Sequence, residues 1–553
     1  MGYTGILKDT HMDMCRHSLT RRQLLAAAAA SGIAATAGLG ASDDVNARIA
    51  AAIPSQAPAR PARDRRLLIF DLNVNYGGHG SIATANTAFT MMGEKTGAFR
   101  TVVSRDPAVF APESLKGFDA VFFNNNVGNL FTDPALRRSL VEFVYSGGGL
   151  MGVHGTTVAF TQWPGAVEDW PEFGIMLGAR GANHRENTEH VFIKLDDPDH
   201  PVVAAFGGRG FEYRDEFFRY QEVYSRNRVR VLLSIDTDKT PQDQGRQFGA
   251  TIRQDNDYAL AWVRGYGRGR VFHSTIAHHP SVFWDPKMLE FYLAAAQFVL
   301  GDLPAPTTPS ARLTGAVRAQ ERLGWRLGMN PGSATLFEAI DAASQAGLLY
   351  LTARMGMPVG GGIAGHFEPD LDAPAREHIR LKLDAAAIRL LTCSLDSVPK
   401  DEAACRQLFE FARKMGVEAL SAEVEPDGLD ALERLCDEYD ISLALRNLLD
   451  DPKKALTICA GRGKRIGLCC DIDRWARAGI DPAEALSDIG DRLAICVLPG
   501  EQTDAAGKVL DRLRRQGRRS ILFVVEPAAG MDTVVEAFHG VITTTADSEP
   551  TTR

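Results

Sequence analysis

Gly147 to Thr156 reads Gly-Gly-Gly-Leu-Met-Gly-Val-His-Gly-Thr, an apolar run between glycines that ends on His154. Such a run reads as a strand of an open parallel sheet, in which chemistry gathers at the carboxyl ends of the strands. Glycines flank this kind of strand-to-helix corner because only a residue without a side chain tolerates so sharp a turn. An imidazole there suits proton transfer, metal ligation or polarisation of a carbonyl, and does not suit an acyl-enzyme mechanism. Residues of similar chemistry recur nearby: His79 in Tyr-Gly-Gly-His-Gly-Ser, Asn124 to Asn126, His184, Asp215-Glu216 and His278-His279. In an extended segment Asp215 and Glu216 point to opposite faces, so one of them enters a shared crevice, and Glu216 is the favoured one. Three imidazoles and a carboxylate would also suit a zinc-type ion. Their long-range spacing has no His-x-x-x-His signature, so acid–base chemistry is preferred to a divalent metal and the cofactor stays open.

These side chains need a framework. Strand-like runs at Leu67–Leu72, Ala120–Asn124 and Leu150–His154 alternate with helical stretches such as Pro134–Tyr145, the rhythm of a parallel α/β sheet with covering helices over residues 66–302. A Pro/Thr/Ser linker follows at 303–310. Eight strand-plus-helix units then run through 311–545, with strands near Trp325, Tyr350, Leu391, Leu420, Leu443, Leu468, Ile495 and Phe523, which predicts a (β/α)8 TIM barrel.

The ends and the composition narrow the function further. Ser18 to Leu25 carries the pair Arg21-Arg22 and is followed by an alanine-rich apolar run to Ala41, the pattern of a twin-arginine signal peptide over 1–41. Export to the periplasm is expected, with cleavage near Ala41 or Ala47 and no stable membrane anchor. Residues 42–65, rich in Ala, Pro and Arg, read as a disordered tether. A net charge of −8 gives no support to a nucleic-acid surface, and the arginines between Arg512 and Arg519 read as a solvated helix face. The eight cysteines have no Cys-x-x-Cys spacing and only Cys15 precedes Cys393, which argues against a disulfide framework.

Over nearly all of 66–302 the chain resembles the ThuA (trehalose utilisation) domain, a flavodoxin-like relative of class I glutamine amidotransferases. The resemblance rests on Gly78-His79-Gly80-Ser81-Ile82, Phe118 to Phe123, Gly147 to His154, and Leu177-Gly178-Ala179 with His184. It continues through His200-Pro201, Asp215-Glu216, Gly269 to Phe272 and Ile276-Ala277-His278. It implies a flavodoxin-like doubly wound domain acting on oxidised sugars, such as 3-keto-glycosides supplied by a sugar-oxidising oxidoreductase partner. Residues 66–302 contain no cysteine, which excludes the thiol chemistry of a glutaminase. A keto-sugar needs a base for the acidic proton beside its ketone and an acid for the departing group. On that chemistry His154 is the expected base or ligand, with His184 and Glu216 as assisting groups and His79, Asn124, Asp215 and His278 as substrate-binding residues. Where the family pattern continues Asp-Glu with a tyrosine, this chain has Phe217 and Phe218, with Tyr220 later. His200 reads as a turn residue, His190 and His273 as strand histidines, and His279 competes with His278 for one role.

In the barrel, Phe411 to Glu418, Leu468 to Asp471 and Ala478 to Pro482 resemble the xylose isomerase-like sugar isomerase/epimerase family. That family implies histidines at the ends of strands five to seven. Here those places read Leu445-Arg446-Asn447-Leu448, Asp471-Ile472-Asp473-Arg474 and Cys496-Val497-Leu498-Pro499. Glu423 or Glu425, Asp471 and Glu526 could hold a hard cation through oxygen alone, but Arg446 and Arg474 would repel it. The barrel is therefore expected to be a degenerate partner with salt bridges or an anion-binding mouth, and His366 is its one histidine at the functional face. The leading expectation is an exported enzyme of carbohydrate catabolism with a small-molecule sugar substrate. The alternatives are a non-catalytic periplasmic sugar-binding or scaffolding protein, and a metal-dependent isomerase working through the barrel.

Overall fold

The computed structural model describes residues 44–543 except 164, 167, 182, 221–222, 243–251, 447–451, 502 and 529–530. The expected signal peptide lies outside the described residues. Among them, no helix is long and apolar enough to cross a membrane.

The expected disordered tether is instead an ordered strap. Residues 44–52 form a helix; its Ile49 and Ala52 and the adjoining Ile53 are buried against the first domain, with Val45 packed beside them. The spacing of these four residues makes a helical apolar stripe, which a composition rich in Ala, Pro and Arg conceals. Lys95 Nζ holds the end of the helix, donating to the carbonyls of Ala50 (3.0 Å) and Ile53 (2.8 Å). Further along, the Ala59 N–H donates to Gln297 Oε1 (2.9 Å), and Arg65 bridges Asp119 (3.1 Å) and Asp302 (2.7 Å).

The first domain is built on a nine-stranded sheet. Its first five strands lie in the order Arg100–Ser104, Arg66–Phe70, Ala120–Asn124, Gly149–Val153 and Gly269–Ser274, all parallel. This is the doubly wound flavodoxin-like order. Leu67, Ile69, Phe122 and Met151 face one core with helices Ile82–Thr96 and Pro286–Leu300. Leu68, Phe70, Phe123 and Leu150 face the other, with helices Pro134–Tyr145 and Pro171–Leu177. Burial on both faces is why these strands read as unbroken apolar runs. The expected parallel sheet is only this half; Ala259–Tyr266, Arg230–Ile235, Glu189–Leu195 and Phe211–Asp215 continue it as antiparallel strands.

The second domain is a closed barrel of eight parallel strands, at Arg326–Met329, Tyr350–Arg354, Arg389–Ser394, Ala419–Ala422, Ser442–Leu445, Ile466–Asp471, Leu493–Leu498 and Leu522–Val525. Each lies at or beside its expected position. Leu391, Ala419, Ala444, Cys469, Ile495 and Val524 fill the interior.

The domains meet through the amino ends of their strands. Asp384 accepts hydrogen bonds from Arg228 and Arg264, Arg268 pairs with Asp440 (2.7 Å), and Gly416 abuts Tyr145. The carboxyl ends, where parallel folds carry chemistry, therefore face away from the contact in both domains.

Candidate active site

The glycines around His154 mark close approaches of backbone and side chain. A Cβ at Gly149 would lie 2.2 Å from the Val299 carbonyl oxygen, and one at Gly152 would lie 2.9 Å from Leu177 Cδ1. His154 follows with a φ of 44°, left-handed and unusual for a residue with a side chain. Its neighbours compensate for this strain. The Gly155 N–H donates to Asn125 Oδ1 (2.8 Å), and the His154 ring stacks on Phe218 at 4.2 Å. Asn125 in turn donates to Ser81 Oγ (3.1 Å) and the Ala277 carbonyl (3.2 Å), so one buried amide ties three strand-end loops together.

These ties bring four expected residues into one cluster. His154 Nε2 lies 3.2 Å from Glu216 Oε1 and 3.2 Å from His278 Nδ1, and His278 Nδ1 lies 3.5 Å from the same carboxylate oxygen. The His79 ring centre is 4.9 Å from that of His154 and 5.3 Å from that of His278. One nitrogen or oxygen from each of His79, His154, Glu216 and His278 falls within 4.8 Å of all the others. His184 joins from the rim, with Nδ1 at 3.4 Å from Glu216 Oε2, and the Tyr76 hydroxyl meets His79 Nε2 at 3.3 Å. Burial pushes His79 and His154 down to about 3 and His278 to about 4, so the three rings are neutral at pH 7.

Two expected substrate-binding residues serve the framework instead. Asn124 is buried and donates to the Ile82 carbonyl (3.0 Å) and Asn86 Oδ1 (2.9 Å), fixing the helix that follows His79. Asp215 is fully buried and accepts from the N–H groups of His278 and His279, both at 3.1 Å. Desolvation raises its carboxyl to about 8. It thus orients the loop bearing His278, while Glu216, on the opposite face, enters the crevice. His279 turns outward to the Asn187 carbonyl (2.7 Å). His273 pairs with Tyr220 (3.0 Å), so that hydroxyl is directed away from the cluster. His200 accepts from the Val202 N–H at a turn, and His190 pairs with Glu212 on an outer strand.

A cavity of about 840 Å³ opens over the cluster, lined by Tyr76, His79, Trp163, His184, Glu216 and His278 among others. His154 is wholly enclosed beneath these groups. Tyr76 and Trp163, 37% and 55% exposed, are the exposed large aromatics among the described residues, and both stand at this mouth with rings 6.0 Å apart. Sequence reasoning missed both. The available signal was a large aromatic in a polar loop beside each motif.

The barrel mouth is a separate cavity of about 390 Å³ lined by Glu423, Arg446, Asp471, Arg474 and Glu526. Two of its carboxylates are engaged: Asp471 Oδ1 accepts from the N–H groups of Asp473 and Arg474, and Glu526 accepts from Asn330 Nδ2 (2.9 Å). Arg446 reaches across to the Leu395 carbonyl. With two guanidinium groups in the mouth, these residues do not fit the divalent metal of an isomerase. His366 stands on the hairpin Pro358–Gly360/Ile363–His366 and does not line the mouth.

No curated protein matches the chain. Among solved structures, an uncharacterised protein from Parabacteroides distasonis is 21% identical, over 41% of this chain and 98% of its own, with a TM-score of 0.34. A ThuA-like protein from Bacteroides uniformis is 20% identical over 44% and 94%, with a TM-score of 0.36. A xylose isomerase domain protein from Planctomyces limnophilus is 14% identical over 40% and 99%, with a TM-score of 0.31. The family model described as ThuA, trehalose utilisation, matches residues 66–299, a span that holds the whole histidine–glutamate cluster. Residues 66–299 are therefore a ThuA domain.

Proposed function

We propose that the crevice of the ThuA domain is the active site of a carbohydrate-processing enzyme whose substrate is an oxidised (keto) sugar or glycoside. The observation that carries this reading is the pairing of two exposed aromatic rings, Tyr76 and Trp163, with a histidine–carboxylate cluster across one cavity. Sugars present C–H faces that stack on such rings, and their hydroxyls meet the polar groups opposite. Glu216, which lines the cavity, is placed to take the acidic proton beside a ketone, and His184 to protonate the departing oxygen. His154 is enclosed and acts through its contacts with Glu216 and His278 as a positioning residue.

A keto-sugar substrate requires a preceding oxidation, which places a sugar-oxidising oxidoreductase upstream. The barrel supports the ThuA domain from behind rather than sharing its crevice. Export through the paired-arginine motif belongs to the same proposal.

Incubation of the purified protein with a 3-keto-glycoside and with its unoxidised parent tests the reading. Consumption of the keto compound alone is expected. Binding of sugar with no turnover of either would favour the sugar-binding alternative.

A further inference from the structure

We infer that His79, His154, Glu216 and His278 form a binding site for a single divalent transition-metal ion of the zinc class. The inference rests on the donor geometry and does not depend on the sugar reading.

Counting hydrogens is the first step. His154 Nδ1 lies 2.9 Å from the Thr275 carbonyl, an acceptor only, so the ring proton is on Nδ1 and Nε2 presents a lone pair. That lone pair faces Glu216 Oε1 at 3.2 Å and His278 Nδ1 at 3.2 Å. His278 Nδ1 can supply one hydrogen to one of the two, which leaves the contact between His154 Nε2 and Glu216 Oε1 without a proton. Two acceptors held face to face, with the His154 ring walled off from solvent, repel each other unless a cation lies between them. A metal ion removes the conflict, since every one of these atoms is then a ligand.

The surroundings match a metal centre as well. The donors come from four separate loops, and His79, Glu216 and His278 face the cavity while His154 closes the floor. Outer contacts orient the ligands: the Thr275 carbonyl fixes the His154 tautomer, His184 stands against Glu216 Oε2, and the Tyr76 hydroxyl stands against His79. Three imidazole nitrogens with one carboxylate oxygen favour Zn²⁺ and its first-row neighbours over Mg²⁺ or Ca²⁺, which prefer oxygen throughout. A further coordination position would open toward the cavity, where a substrate carbonyl oxygen could be polarised. Among the described residues this is the only such group of donors, and the barrel mouth contributes none.

The test is metal analysis of the full-length protein, stripped with a chelator and titrated with Zn²⁺ and Mn²⁺ against a chromophoric competitor. One ion per chain is expected, with a metal-dependent rise in melting temperature. Glu216→Gln and His278→Ala should each weaken binding by roughly 100-fold or more, because loss of an outer-shell partner alone commonly costs 10–100-fold. Asp471→Asn in the barrel should leave stoichiometry and affinity unchanged. Glu216→Gln keeps the side-chain volume, so a folded variant that has lost the ion supports the site even if His278→Ala fails to fold. Absence of stoichiometric binding to the wild-type protein would overturn the inference, as would full binding by Glu216→Gln or loss of the ion in Asp471→Asn alone. A protein that holds the ion but turns over no keto-sugar refutes the proposed function and leaves this inference standing.

Discussion

His154 Nε2 and Glu216 Oε1 sit 3.2 Å apart at the floor of the crevice, one delivered by a left-handed corner after a parallel strand, the other by an antiparallel strand 62 residues on (216 − 154). This contact joins the two halves of the sheet beneath the cavity. It also divides the labour, since Glu216 reaches the cavity and His154 does not.

Stacking should govern affinity more than rate. Trp163→Ala and Trp163→Leu each remove the exposed indole ring from the mouth, and neither alters a residue of the cluster. An aromatic contact is worth about 0.5–1.5 kcal/mol beyond its buried area, so KM for the keto-sugar should rise several-fold with kcat nearly unchanged. Steady-state kinetics on the two variants would show this. A fall in kcat at constant KM would place the sugar elsewhere.

Acid should destabilise the first domain. Burial holds His200 at about 4 and His273 at about 3, both outside the cluster, whereas an unfolded histidine titrates near 6.5. Between those values the unfolded chain binds more protons than the folded one. The stability from each buried neutral ring is therefore fully present above about 6.5 and is lost as pH falls toward 4, by up to about 1.4 kcal/mol per pH unit for each ring. His79, His154 and His278 act in the same sense, while Asp215, raised to about 8, opposes them as a single group. Melting temperatures at pH 7.5, 6 and 5 should decline in that order, and a flat profile would contradict the burial of these rings as neutral species.

The interface should be separable from the chemistry. Asp384 answers two arginines, and the Arg264 side chain is almost wholly buried. Removing one partner of a buried ion pair typically costs about 3–5 kcal/mol, because the other charge stays behind. Asp384→Ala should lower the melting temperature by several degrees with keto-sugar kinetics per folded molecule preserved. Calorimetry and kinetics on one preparation decide it; a lost activity at normal stability would mean that the barrel acts on the crevice directly.

If the proposed twin-arginine export holds, changing Arg21 and Arg22 to Lys should keep the protein in the cytoplasm, because a paired guanidinium motif is a receptor-read address. Cell fractionation is the check. Normal export of that variant would dismiss the twin-arginine route.

The strands legible in the sequence were those buried on both faces, such as Ala120–Asn124, and the eight short barrel strands, whose apolar runs stand out from polar helices. In the antiparallel half, Phe211–Asp215 escaped notice because it is half-exposed and carries charges on its outer face, whereas Arg230–Ile235 and Ala259–Tyr266 are buried and were missed although their runs are largely apolar. Alternation separates Glu216, which lines the cavity, from Asp215, which accepts backbone N–H groups. Asn124 ends its strand and Asn125 then turns left-handed, with φ at 60°, so Asn125, beside the Asn124 expected to bind substrate, is the one that ties the loops. The ordered strap at 44–65 was masked by a composition that matches a linker. Four imidazole- and carboxylate-bearing loops could be named from sequence, but their meeting depends on the order in which the strands lie side by side in the sheet, which no local pattern encodes.

The most direct measurement is single-turnover consumption of a 3-keto-glycoside by the wild-type protein and by Glu216→Gln, with sugar binding measured on the same samples. If the crevice does the chemistry, the variant should bind the sugar but turn it over about 10² to 10⁴ times more slowly, the usual worth of a general acid–base group. Equal rates in the two proteins would remove Glu216, and with it the histidine–glutamate crevice, from the reaction.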